Sequence, residues 1–296
     1  YLTHPADFDP YLDPNQTEGI YNKDLGKRVE MYSDEAIEAS KEIAFDVIHA
    51  HDWLTAIAAL KIREKSGKPL IFHVHSLNYD RAGPDEQGQI YNLEKQVLQK
   101  ADHVIAVSHY TKKICIDYYD ADPEKISVIH NGISPIQAYR HPKPFPDHLV
   151  VFLGRMTRQK GPSHFLEIAR KVLSQISNVR FVMAGTGDQL KTLMTKSIRL
   201  GIANRCHFTG FLGREKIRDL LSMADVYCMP SISEPFGLSA LEAAQFGVPV
   251  VISKQSGAAE ILTEAKTVDA FDTEQMASGI LKQFDTGITF DSLPIR

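Results

Sequence analysis

The chain has 296 residues, a length suited to about two domains with substantial cores. Its 43% hydrophobic and 24% charged content excludes a disordered, collagenous or coiled-coil chain, and a net charge of -4 excludes a strongly basic nucleic-acid binder as the default. No apolar run approaches the roughly 18 residues that span a bilayer, and three scattered cysteines, Cys115, Cys206 and Cys228, fit neither a disulfide framework nor a C-x-x-C zinc site.

These features read as a soluble cytoplasmic protein with free thiols. The chain opens on Tyr1, and its first stretch, YLTHPADFDPYLDPNQ, is polar and unlike a signal peptide. SDEAIEASKEIA (33–44) has helical spacing with Ser33 or Asp34 as N-cap. FDVIHA (45–50) reads as a buried strand. Asp52 then caps a helix through TAIAALKIREKSG, which Gly67 stops. PLIFHVH (69–75), HVIAVS (103–108) and KISVIH (125–130) follow as strands, with helices at QIYNLEKQVLQKA (89–101) and YTKKICIDYY (110–119) between them.

The alternation breaks at ISPIQAYRHPKPFPDH (133–148), where Pro135, Pro142, Pro144 and Pro146 mark a linker. It restarts with HLVVFL (148–153), helix 162–176, VRFVMAG (179–185) and helix 188–200. RCHFTG (205–210), helix 213–223, VYCMP (226–230), helix 239–246 and VPVVIS (248–253) complete it. Strands alternating with helices predict an α/β chain with parallel sheets. The expected architecture is two Rossmann-like doubly wound domains facing across a cleft. The first is residues 1–146 with the linker 133–148, and the second is residues 147–296, divided near Asp147.

Ligands of open α/β sheets sit beyond the carboxyl ends of the strands. The polar residues here collect at those ends: His49, His51 and Asp52, then His75, then Asn131-Gly132. In the second half they are Gly154-Arg155, Gly185-Thr186-Gly187 and Glu234. In GRMTRQKG (154–161), Arg155 and Lys160 can address one anion in front of a helix that begins near Gly161-Pro162. Basic residues in a loop are ordinarily just solvated, so this reading rests on position. In SISEPFGLSALEAAQFGVPVV (231–251), Ser239 and Glu242 fit a capping box. Glu234 and Glu242 also fit hydrogen-bond acceptors for sugar and ribose hydroxyls, and the N–H groups of Gly237 and Leu238 fit a phosphate site.

E-P-F-G-L-S-A-L-E-A resembles the donor-site signature of retaining glycosyltransferases of the glycogen-synthase-like, group 1 type, which have the GT-B fold. FDVIHAHDWL (45–54), HVHSLNYDR (73–81), ADHVIAVS (101–108), VIHNGI (128–133), GRMTRQKG, AGTGD (184–188) and QSGAAEIL (255–262) stand in the order that family shows. The resemblance covers about residues 45–285. It implies a hexose moved from a nucleotide-diphosphate sugar to an acceptor, of glucan or other saccharide type, with retention of configuration. Arg155 and Lys160 would neutralise the leaving diphosphate, Glu234 would hold the sugar, Glu242 the ribose, and His75 would sit over the reacting carbon. Phe236, Gly237, Leu238, Gly185 and Asn131 join the donor set by the same resemblance. No metal or other cofactor is expected, because Arg and Lys take the place of Mg²⁺. No nucleic-acid partner or transmembrane segment is expected.

The pairs His49-Ala-His51 and His73-Val-His75 also fit an amidohydrolase-like metal site, since alternate strand residues share a face. No obvious carboxylates or lysine complete that set, so the preferred reading is buried, hydrogen-bonded histidines. The family's opening strand and glycine-rich loop are not visible in the first 44 residues, so the first domain is expected to be incomplete. The chain as written is then expected to bind donor nucleotide but transfer sugar poorly or not at all. Ser134 stands where the family often has Asp. The rival readings are a sugar-nucleotide epimerase or hydrolase on the same fold, and a non-catalytic nucleotide-sugar-binding fragment.

Overall fold

The computed structural model describes residues 25–286; the polar opening and the last ten residues lie outside this range. The chain first forms α1 (Leu25–Ser40), β1 (Ile48–His51), α2 (Asp52–Ser66), β2 (Leu70–Val74), α3 (Asn78–Ala82) and α4 (Gln89–Lys100). It continues with β3 (His103–Ala106), α5 (His109–Tyr119) and β4 (Ile126–Val128). These strands make a four-stranded parallel sheet in the order β1-β2-β3-β4. Every crossover steps in the same direction, so right-handedness sets α2, α4 and α5 on one face. Leu70, Phe72, Val74, Val104 and Ala106 form a core with Ala56, Val97 and Leu98 of that layer. The alternate residues, His49, His51, His73, His75 and His103, therefore share the opposite face.

Two capping expectations are corrected. Helix α1 starts well before Ser33, whose hydroxyl donates to the Val29 carbonyl at 2.7 Å inside the helix. Asp52 does not cap α2, because its own φ is +56° and its carboxylate turns away from the helix. That carboxylate instead accepts the His75 N–H at 2.7 Å and the Ser76 N–H at 3.2 Å. Gly67 ends α2 as expected, in the left-handed region at φ 68°.

Residues 129–143 carry no helix or strand. Within this segment Arg140 donates to the Ala224 carbonyl at 2.8 Å, fastening it to the second half. That half comprises β5 (His148–Leu153), α6 (Pro162–Leu173), β6 (Val179–Ala184), α7 (Leu190–Arg199), β7 (Cys206–Gly210) and α8 (Arg214–Met223). It ends with β8 (Val226–Met229), α9 (Leu238–Gln245), β9 (Val250–Ser253), β10 (Lys266–Val268) and α10 (Thr273–Thr286). Its six parallel strands run β10-β9-β8-β5-β6-β7. Strand order reverses between β5 and β8, so helices cover both faces and each face has its own core. The sequence reading did not contain α3, β10 or α10.

All three cysteines are buried free thiols, Cys115 in the first core and Cys206 and Cys228 in the second. Burial pushes Cys206 up to about 12 and raises the other two thiols as well. No described helix is long and apolar enough to cross a membrane.

Candidate active site

Open α/β sheets take ligands in a crevice beyond the carboxyl ends of the strands where the order reverses, here β5 and β8. The loop after β5 is residues 154–161, and the loop after β8 leads through 230–237 into α9. Backbone contacts set both loops. Met156 N–H donates to Thr186 O at 2.8 Å, and Ile232 N–H donates to Gln159 O at 2.9 Å. Gly185 has φ +137°, and a Cβ there would lie 2.0 Å from the Gly154 carbonyl oxygen. Only glycine allows the loop after β6 to lie this close to the loop after β5.

Lys160 and Glu234 meet in this crevice. Lys160 Nζ donates to Glu234 Oε2 at 2.5 Å, and Ser231 Oγ donates to the same oxygen at 3.3 Å. Glu234 is only 5% exposed, so its carboxylate is desolvated and held by one cation and one hydroxyl. Its backbone is fixed too, with its N–H on Gln255 O at 2.8 Å and its carbonyl accepting from Gly257 N–H at 3.0 Å. Arg155 is exposed on the same loop and makes no salt bridge among the described residues. One cation is thus paired and the other is open to an anion.

Helix α9 begins differently from the capping box read in the sequence. Its N-cap is Gly237, at φ 103°, with no side-chain cap, and Ser239 lies inside the helix bonded to the Tyr227 hydroxyl at 2.7 Å. Capping therefore gives Glu242 no role. Glu242 instead lines a cavity of about 170 Å³ with Leu238, Arg214, Arg218 and Ser134. Gly237 and Leu238 head the helix, where first-turn N–H groups have no intrahelical partner. Phe236 is buried in the core beneath, and its carbonyl accepts from Ser256 Oγ at 3.1 Å, so its ring is not exposed to a ligand. Asn131 is half-buried in the segment that crosses between the sheets.

His75 stands at the end of β2, its ring nitrogen Nε2 2.9 Å from His51 Nδ1 and its backbone on Asp52. The expectation of buried, hydrogen-bonded histidines is corrected: His49 and His51 are exposed, and neither ring nitrogen of His73 has a hydrogen-bond partner. His75 makes no direct bond to Lys160 or Glu234. Its loop is joined to theirs through α3, which lies against the Arg158–Lys160 turn. There Asp80 Oδ1 accepts from Ser233 Oγ at 2.5 Å, and Tyr110 Oη lies 3.0 Å from the same Ser233 hydroxyl.

Sequence reasoning missed these joining residues. Asp80 is buried, and desolvation pushes its carboxyl up to about 6. Beside it Glu94, pushed up to about 7 by burial, accepts from Asn78 N–H, Arg81 and Tyr119. A second clasp uses Glu260, which accepts the N–H groups of His109 and Tyr110 at 2.9 and 2.8 Å and contacts His130 at 2.7 Å. Ser108 adds a bond to the Pro235 carbonyl at 2.6 Å. Asp80 and Glu260 fall inside the quoted motifs HVHSLNYDR and QSGAAEIL, which was the available signal.

The chain is similar to known proteins in sequence and in fold. Residues 136–287 match the family profile described as glycosyl transferases group 1, and residues 19–136 match glycosyltransferase family 4. An uncharacterized glycosyltransferase of Methanocaldococcus jannaschii, MJ1607, is 31% identical over 234 residues, 74% of this chain and 60% of its own length. The glycogen synthase of Mycobacterium tuberculosis is 28% identical over 229 residues, 75% of this chain and 55% of its own. The chain thus spans less than two thirds of either relative. Anabaena HepE, solved with UDP-glucose, superposes with a TM-score of 0.72 at 22% identity, covering 90% of this chain and 76% of that one. The fold is GT-B. With residues 136–287, more than half of its length, matched by that profile, the chain belongs to the glycosyl transferases group 1 family.

Proposed function

We propose that the protein transfers a hexose from a nucleotide-diphosphate sugar to a saccharide acceptor and retains the anomeric configuration. The observation that carries this reading is the Lys160–Glu234 pair in the switch-point crevice, with Arg155 open beside it. Residues 147–296 hold the donor, and residues 1–146 present the acceptor. The crevice can take a diphosphate between Arg155, Lys160 and the N–H groups that start α9. Glu242 receives ribose hydroxyls at the cavity edge, and Glu234 receives hydroxyls of the sugar.

In the reaction the bond from the anomeric carbon to the diphosphate oxygen breaks as the acceptor oxygen bonds to that carbon from the same face. The acceptor proton passes to the departing diphosphate oxygen. Arg155 and Lys160 stabilise the charge that develops there, the task a metal ion performs in other transferases. His75, locked by Asp52 and His51, borders the sugar from the acceptor side. The UDP-glucose in HepE supports this donor class.

Calorimetric titration with UDP-, ADP- and GDP-sugars, followed by NMR of the product's anomeric centre, tests the proposal. A product of unchanged configuration is expected, and His75→Ala should abolish transfer while nucleotide still binds. Inverted configuration, or epimerised or merely hydrolysed donor in place of transfer, would sink it.

A further inference from the structure

One face of the first sheet carries a row of imidazoles, of which His75 alone is given a place against the sugar. His49 and His51 alternate along β1, and His51 pairs in register with His73 on β2. Their ring centroids lie 4.5 Å apart for His49–His51, 5.1 Å for His51–His73 and 5.6 Å for His49–His73. One ring nitrogen from each residue lies within 4.8 Å of the other two. We infer that His49, His51 and His73 form a site for a divalent transition-metal ion of the zinc class.

Three observations carry this. First, a tetrahedral zinc with Zn–N near 2.0–2.1 Å sets its nitrogens about 3.4 Å apart, so modest χ rotations of His49 and His51, both exposed, bring the three together. Second, both ring nitrogens of His73 are buried without a hydrogen bond, an arrangement that costs free energy until a partner arrives. A metal ion supplies that partner. Third, His51 keeps one nitrogen for His75 at 2.9 Å and has the other to offer, the outer-partner pattern usual for metal-bound histidine.

Ligation requires neutral imidazole. Three imidazoles favour zinc, nickel, cobalt or copper over magnesium or calcium. The neighbouring His109–His130–Glu260 group differs, because its carboxylate is already filled by two backbone N–H groups and His130. The site adjoins the donor side through the His51–His75 contact.

The test is titration of the metal-free full chain, purified without a histidine tag, with Zn²⁺ by calorimetry and with Co²⁺ by its visible absorption. One ion per chain is expected. His49→Gln, which alters only an exposed side chain, and His73→Leu should each weaken binding on the order of tenfold or more. His109→Gln should leave it unchanged. Absence of saturable binding overturns the inference, as does binding that survives both substitutions or is lost only in His109→Gln. Because His49→Gln does not disturb the core, a folding failure of His73→Leu leaves the test decisive.

Discussion

Lys160 Nζ and Glu234 Oε2 stand 2.5 Å apart, so the cation assigned to the diphosphate and the carboxylate assigned to the sugar form one ion pair. The two groups cannot be altered independently. Glu234→Gln removes the negative charge from a lysine that a diphosphate must approach. Free nucleoside diphosphate should therefore bind at least as tightly as to the unsubstituted chain, while sugar transfer falls. Calorimetry with the diphosphate, beside a transfer assay, reads both; a weakened diphosphate affinity would contradict the pairing argument.

Lys160→Ala should behave in the opposite sense. It leaves a buried carboxylate with only the Ser231 hydroxyl, so both melting temperature and diphosphate affinity should drop. Arg155→Ala should lower affinity by roughly tenfold or more, the loss of one charge-assisted bond of about 1.5–3 kcal/mol, without changing the melting temperature. A stability loss in Arg155→Ala would show that this exposed side chain has a structural partner after all.

Glu242→Gln separates the ribose from the capping role. Because Gly237 rather than Ser239 caps α9, the substitution should weaken nucleotide binding, even without sugar, and leave the cap of α9 in place. Thermal denaturation paired with nucleotide titration decides it. A lower melting temperature with unchanged binding would restore the capping account.

Gly185→Ala tests the contact between the loop after β6 and the loop after β5 that carries Arg155 and Lys160. The new methyl would meet the Gly154 carbonyl oxygen at 2.0 Å, and φ +137° is strained for any L side chain. Destabilisation by several kcal/mol is expected, with loss of diphosphate binding as the 154–161 loop is displaced. Wild-type stability in a denaturant titration would mean that the loops do not touch.

Glu94 gives a pH signature. Burial raises its folded pKa to about 7, above the ordinary value of 4.5. Between those values the folded chain binds a proton that the unfolded chain has released, so this group makes stability fall as pH rises through the window. Below it the penalty is absent, and above it the penalty is complete. Glu94→Gln should flatten that part of a stability-versus-pH curve measured by urea denaturation. An unchanged slope would place the titration elsewhere.

Much of this architecture is legible in the residues. The strand at 148–153 and the stop at Gly67 follow from a continuous apolar run and from glycine's freedom at positive φ, both local properties. Cap assignments failed where a side chain had a better partner far away: Asp52 serves the end of β2, and Ser239 serves Tyr227. The same limit hid Asp80 and Glu260, because their partners Ser233 and His109 lie more than a hundred residues away in the chain. Lys160 and Glu234 were both singled out, but their pairing depends on the strand reversal that brings β5 beside β8. Motif spacing along one loop carries no trace of the other.

The three buried thiols divide the molecule into separately timed reporters. Cys115 sits in the core of the first sheet, while Cys206 and Cys228 sit in that of the second, and burial suppresses the reactive thiolate in each. Alkylation of the native protein must therefore wait for an opening event, and the site modified records which half opened. Pulsed labelling read by mass spectrometry yields two unfolding clocks without any engineered probe. Donor nucleotide, bound by the second half, should slow the clock at Cys206 and Cys228. If Cys115 slows in step with them, the bonds from Ser233 and Glu260 make the two halves one cooperative unit.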